Sequence, residues 1–267
     1  MKNLLLAFLM ILSVAVLGQS FEGTLVWSIK TEITDPKVKK QMEQASDPAK
    51  VKEFEDQMNS PQFKKMMEQN PQMKEQMERT LAMMKSGGGM EAMMPTKIKV
   101  RIRKENSLTM MEGGMLDGTE VLYLKDKNES ITINRKNKTY TVDKDDNVAD
   151  PNSNAKVTKT NETKKVLNYT CTKYLVELNS GGKLTKQEIW ATTEIKDLDF
   201  KALASRKVTN NSEGGFFYKE IDGVPLMMVM NSPEMNLTMQ ASEVKRESQP
   251  AGDFVIPSGF TEVKSPY

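Results

Sequence analysis

The sequence predicts an α+β protein: one curved antiparallel sheet, closed or half-closed, with a block of short helices inserted after its first strand. Three observations carry this. Apolar and polar residues alternate through most of the chain; residues 35 to 95 switch to helical spacing; and no linker long enough to separate a pair of domains breaks the series of about eleven or twelve strands.

The first strand is the clearest. From Phe21 to Ile33 the odd positions carry Phe21, Leu25, Trp27, Ile29 and Ile33, while Glu22, Thr24, Ser28, Lys30 and Glu32 take the other face. That is a half-buried strand of a one-sided sheet. At Asp35 the period changes. Asp35-Pro36, Asp47-Pro48, Ser60-Pro61 and Asn70-Pro71 each place a capping side chain before a proline at the first helical position. Their spacings of 12, 13 and 10 residues predict helices of two to three turns, the last running on towards Met84. Val38, Met42, Ala45, Ala49, Phe54, Met58, Phe63, Met66, Met67, Met73, Met77, Leu81 and Met84 recur mostly every three or four residues, which makes one apolar face. Ser86 to Gly89 closes the block as a hinge.

Alternation resumes at Lys97–Arg103, with Ile98, Val100 and Ile102 on one side and Lys97, Lys99, Arg101 and Arg103 on the other. Strands follow at 108–111, 120–124, 130–134 and 138–142, with turns at 125–128 and 135–137. Residues 143 to 156 read as a polar loop. Further strands fit 172–178, 187–192, 216–219, 224–230, 236–246 and 254–256, and residues 197 to 207 are the one other helical candidate. The strand at 224–230 carries apolar residues on both faces, which places it at the centre of the sheet.

Ahead of the fold, Lys2 and the apolar run from Leu4 to Leu17 form a signal peptide over residues 1–20. Fourteen residues are short for a membrane span, which needs about 20. No cysteine follows to carry a lipoprotein anchor. The mature chain, residues 21–267, is therefore expected to be one exported domain, periplasmic or secreted, interrupted by the insertion at 35–95.

Composition narrows the function. Histidine is absent, which removes His-based triads and His–zinc sites. A net charge of +2 gives no field for nucleic acid or an anionic membrane. Cys171 is the one cysteine; a small buried strand residue is the preferred reading, a mixed disulfide or dimer bridge the other. Ser180-Gly-Gly-Lys183 and Ser242-Glu-Val-Lys245 match a Ser-x-x-Lys spacing, but in a turn and a strand rather than a helix, so neither is an acyl-transfer centre. Asp143 to Asp150 lacks the glycine and the terminal glutamate of a calcium loop. The 21 methionines invite Cu(I), yet most sit at helical spacing as flexible apolar filler, so no metal and no cofactor is expected. The basic stripe from Lys97 to Arg103 reads as a solvated face. Six Asn-x-Ser/Thr sites have meaning only in a eukaryotic secretory pathway.

Phe21-Glu-Gly-Thr-Leu25, Lys164-Lys-Val-Leu-Asn-Tyr-Thr-Cys-Thr-Lys-Tyr174, Glu188-Ile-Trp190, Gly223-Val-Pro-Leu226 and Phe254-Val-Ile-Pro-Ser-Gly-Phe260 together resemble an uncharacterised bacterial exported family, domain of unknown function 4412. That family is itself similar to periplasmic lipoprotein carriers and receptors of the LolA and LolB types. The resemblance implies a LolA-like half-barrel with helices plugging its apolar concave face, and no catalytic residue. Asn59 to Met73 is similar to the Met-rich, Asn-Pro-punctuated repeats of ubiquilin and Hop-type co-chaperones, which cradle apolar segments of clients.

Two functions follow, neither enzymatic. One is a carrier or receptor holding an acyl chain, lipid or lipoprotein between the sheet and the helices. Trp27, Phe54, Met58, Phe63, Met66, Met67, Met228 and Met230 are its expected lining. The alternative is a structural or chaperone-like protein whose helical insertion grips exposed apolar peptides.

Overall fold

Twelve strands join into a single sheet in the computed structural model, which describes residues 20–85, 94–144, 155–180, 183–200 and 220–263. They are β1 (Gly23–Ile33), β2 (Lys97–Arg103), β3 (Asn106–Glu112), β4 (Glu120–Leu124), β5 (Glu129–Asn134) and β6 (Thr139–Lys144), then β7 (Ala155–Val166), β8 (Tyr169–Ser180), β9 (Lys183–Thr192), β10 (Val224–Asn231), β11 (Met235–Arg246) and β12 (Thr261–Glu262). The order across the sheet is β12-β6-β5-β4-β3-β2-β1-β11-β10-β9-β8-β7, so the sheet is open, with β12 and β7 at its edges. Every pairing is antiparallel except that of the short β12 on β6. β1 and β2 hold the centre; β10, expected there, lies between β11 and β9. The double-sided apolar pattern of β10 instead reflects Met227, which faces out beneath a lysine described below.

Four helices interrupt the sheet after β1: α1 (Pro36–Ala45), α2 (Pro48–Asn59), α3 (Pro61–Gln69) and α4 (Pro71–Lys85). Each begins on its proline. The caps act as the sequence requires: the Asp47 carboxylate accepts from the Ala49 N–H at 2.8 Å, the Ser60 hydroxyl from Phe63 at 3.4 Å, and the Asn70 carbonyl from Met73 at 3.1 Å. The expected helix at 197–207 falls mostly outside the described residues. So do the strand at 216–219, residues 1–19, the hinge at 86–89 and most of the loop at 143–156.

Strand register shows that the apolar face changes sides within the sheet. Trp27 and Leu25 lie beside Ile98 and Val100 of β2, and these lie beside Met111 and Thr109 of β3. Alternation then puts Leu108 and Met110 on the opposite face, in register with Arg101 and Lys99. Calling the side of Trp27 the inner face, the larger core lines it across β1, β2 and β8–β11, where Leu25, Tyr174, Ile189, Leu226, Met228, Leu237 and Met239 are buried. Ile195, Leu198, Phe200 and Ile221 join that core from between β9 and β10. The second core lies on the outer face of β3–β5, where Leu108, Leu122, Ile131 and Ile133 pack with Phe254. Phe254 belongs to a 3₁₀ turn, Ala251–Phe254, rather than the expected strand.

The C-terminal segment that carries Phe254 also corrects the reading of the basic stripe. Arg101 pairs with Asp253 at 2.7 Å and donates to the buried Gln249 at 2.6 Å. Arg103 meets Glu22 at 3.5 Å and Lys97 meets Glu112 at 2.6 Å. Three of the stripe's cations are thus partnered rather than simply solvated: Arg101 because the tail crosses its face to reach the second core, Lys97 by its cross-strand neighbour on β3, and Arg103 by the residue just ahead of β1.

Candidate ligand face and the helical layer

Trp27 is fixed on the inner face by three features. It is 2% exposed, its indole N–H donates to the Pro225 carbonyl at 3.1 Å, and its ring lies 6.2 Å from that of Phe200. Met228 is buried in register with Met239, and the half-buried Met230 lies opposite Leu237 with the Gln187 amide 4.0 Å from its sulfur. The sheet side of the expected site is therefore one continuous patch: Trp27, Met228 and Met230, with Ile29, Leu237 and Met239 beside them. Leu237 and Met239 are additions to the expected lining. The alternation of Met235, Leu237, Met239 and Ala241 along β11 is the sequence signal that points to them.

The helical residues gather elsewhere. Val51, Met58 and Met67 are buried and Phe54 and Phe63 half-buried, but none belongs to either core of the sheet. Helices α2, α3 and α4 pack mainly on one another. Met66, next to the buried Met67, is 40% exposed and faces solvent. The structure thus places Trp27, Met228 and Met230 on the sheet and Phe54, Met58, Phe63 and Met67 within the helical layer, rather than in one cluster.

The layers meet along one rim. The chain leaves β1 beside the β10–β11 turn, where Thr34 donates to the Glu234 and Pro233 carbonyls. Helix α1 touches β1, and α4 touches the 3₁₀ turn Gly114–Leu116 that joins β3 to β4. Lys136, in the β5–β6 turn, reaches Glu78 of α4 at 3.3 Å. All these points lie at the same ends of their strands, so the helices span the rim from the middle of the sheet towards β6 through few and exposed contacts. Exposed ion pairs of this kind contribute little, about 0–1 kcal/mol each.

The Ser242-Glu-Val-Lys245 motif does not assemble, while most of the Asp143 to Asp150 loop and the middle of Ser180 to Lys183 lie outside the described residues. Ser242 sits at the bulge of β11 and donates to the Val26 carbonyl at 3.3 Å, while Lys245 pairs with Glu247 at 2.6 Å. Cys171 is fully buried and unbridged, and burial pushes its thiol up to about 11. Among the described residues no three or more Cys, Asp or Glu side chains converge as metal ligands, and no helix is long and apolar enough to cross a membrane.

Against this geometry, comparison with known proteins gives one decisive match. The family model described as Domain of unknown function (DUF4412) matches residues 57–260. The chain belongs to that family. No curated protein matches it. Among solved structures, PNGF-II is similar with a TM-score of 0.41 and 12% identity over 91% of this chain; the match spans 31% of PNGF-II's own length. The Mycobacterium tuberculosis lipoprotein LppX is similar with a TM-score of 0.32 and 7% identity, over 92% of this chain and 100% of LppX. LprF from Mycobacterium bovis gives 0.28 and 9% identity, over 59% of this chain and 83% of LprF.

Proposed function

We propose that this protein is an exported, non-enzymatic carrier or receptor that holds an apolar ligand, an acyl chain or lipid, between the inner face of the sheet and the helical layer. What supports the reading is the methionine-rich inner face, Met228, Met230 and Met239, together with a helical layer tied to the sheet mainly at its rim. Thioether side chains with three rotatable bonds re-pack around chains of different shape, which branched residues do not. A layer hinged on few contacts can lift without breaking either core. In this reading bulges at Val26/Trp27 and Pro225/Met227 bend the sheet towards a LolA-like half-barrel around the ligand. Each buried ligand methylene contributes about 0.8 kcal/mol, so a fatty chain holds in the micromolar range after the costs of association.

A second reading has its own observation. Met66 stands exposed on a helical layer that packs on itself, as a peptide-gripping surface requires. Deleting residues 35–95 and bridging the gap with a short Gly/Ser linker separates the two. A carrier keeps some of its affinity for an alkyl-chain fluorophore on the remaining sheet, whereas a peptide-gripper loses client binding entirely.

A further inference from the structure

On the outer face of β7–β10, away from the proposed ligand face, one cation stands over an aromatic ring instead of a carboxylate. Lys164 of β7 extends over Trp190 of β9, its ammonium 4.1 Å from the ring centroid and 2.9 Å from the sulfur of Met227 on β10. Among the described residues Lys164 makes no ion pair. The nearby carboxylates are already engaged: Glu188 and Glu162 both hold Lys173, at 3.0 and 3.4 Å. A thioether is a weak acceptor, so the ammonium is left with sulfur and a π face where an anion would serve better. Its affinity for a proton is accordingly lowered, burial being the largest cause. The second observation is independent. Trp190 is only 7% exposed, and its indole N–H is buried without an acceptor among the described residues. Leaving such a donor unpaired is costly, and native structures rarely tolerate it without a reason. An unpaired donor and an ammonium that reaches no carboxylate directly, Glu188 acting on it only at a distance, ask on one aromatic platform for the same missing partner.

We infer that Lys164, Trp190 and Met227 form a binding site for an oxyanion, a carboxylate or phosphate group. The group displaces the Met227 sulfur as acceptor for the Lys164 ammonium. As the lysine arm swings off the ring, a second oxygen takes the indole N–H. Lys173, 5.6 Å from the same ring centroid, stays with its two glutamates, so Lys164 alone supplies the charge for the anion. The site stands whether or not the inner face carries an apolar ligand, since the two lie on opposite sides of the sheet.

The test uses the two indole N–H signals of the ¹⁵N-labelled full chain, assigned by Trp190→Phe. Inorganic phosphate, acetate and phosphatidylglycerol vesicles are titrated separately. The Trp190 signal moves saturably while that of Trp27 stays in place. Lys164→Gln weakens binding by at least about tenfold, and Lys165→Gln, an exposed neighbour, leaves it unchanged. The Trp27 signal reports that each variant is folded. Saturation by phosphate and acetate alike assigns a small oxyanion, and movement with vesicles alone assigns a lipid headgroup. A Trp190 signal unmoved in all three titrations, or equally moved in Lys164→Gln, overturns the site.

Discussion

Phe254→Ala tests whether the C-terminal tail belongs to the fold. Phe254 is 5% exposed and closes the second core over Leu108, Leu122, Ile131 and Ile133. Truncating a buried Phe to Ala removes about 3–5 kcal/mol, from lost transfer energy plus the cavity left behind. The residue sits in a 3₁₀ turn that can settle some way into the gap, so the lower end, about 3 kcal/mol, is expected. For a domain of this size each kcal/mol moves Tm by about 2–4 °C, giving a fall of about 6–12 °C. Differential scanning calorimetry of the folded chain reads this directly. The tail's polar latch, with Arg101 on Asp253 and Gln249, remains in the variant and keeps the segment in place. The inner face is untouched, so binding of an alkyl-chain fluorophore should be unchanged. A Tm loss of less than about 2 °C would show that the tail is a loose strap and that the second core holds together without it.

Cys171 should resist alkylation by iodoacetamide at pH 8 in the native chain and react promptly in denaturant, since its buried thiol titrates at about 11; rapid native labelling would contradict its placement. Gly223 has φ +85, and a Cβ there would lie 2.1 Å from the Thr192 carbonyl oxygen, so Gly223→Ala should destabilise by roughly 2 kcal/mol or more in urea unfolding. The Asp197 carboxyl is held below its ordinary range by its hydrogen bond to Arg246. A carboxyl depressed in the fold adds stability above its unfolded value, near 4, that is lost as pH falls through the folded value. Arg246→Gln should therefore lower stability at pH 7 by up to about 1 kcal/mol, the pair being partly exposed, and this difference from the parent should vanish as pH falls below about 4 through the folded value of Asp197, leaving only the lost packing of the guanidinium on Phe21. Met66→Glu should leave stability within about 0.5 kcal/mol of the parent, because the side chain already faces solvent.

How far the sequence foretells these features depends on whether the signal is local. The four helices start at the four prolines because cap and proline act within three residues. β2 alternates cleanly, and β1 nearly so, with Val26 the exception on a stretch that is buried on both faces. β7 reads as loop over its first residues and carries no strand signal beyond them, because Ala155–Val166 holds almost nothing apolar. It is an edge strand, and lysines and a bulge at residues 159–163 are how such edges are kept from pairing further. The change of apolar face between β2 and β3 is also out of reach. Each strand alternates correctly by itself, and only the register Leu108 to Arg101 reveals that their apolar sides oppose. The same holds for the candidate site. Methionine content points to a pliable apolar surface, yet spacing along the chain cannot tell which methionines share a layer. Nor can it place Lys164 over Trp190, residues 26 positions apart joined only by the β7–β8–β9 meander.

Whether the inner face carries an apolar ligand is answered most plainly by native mass spectrometry of the chain exported with its own leading segment and purified without detergent. A carrier shows a population with an apolar adduct of acyl-chain or lipid mass. Organic extraction should release it, and substitution of the half-buried Met230 on the inner face by Glu should reduce it. Bare protein alone, in a preparation that also fails to take up an added alkyl-chain probe, would contradict the carrier function.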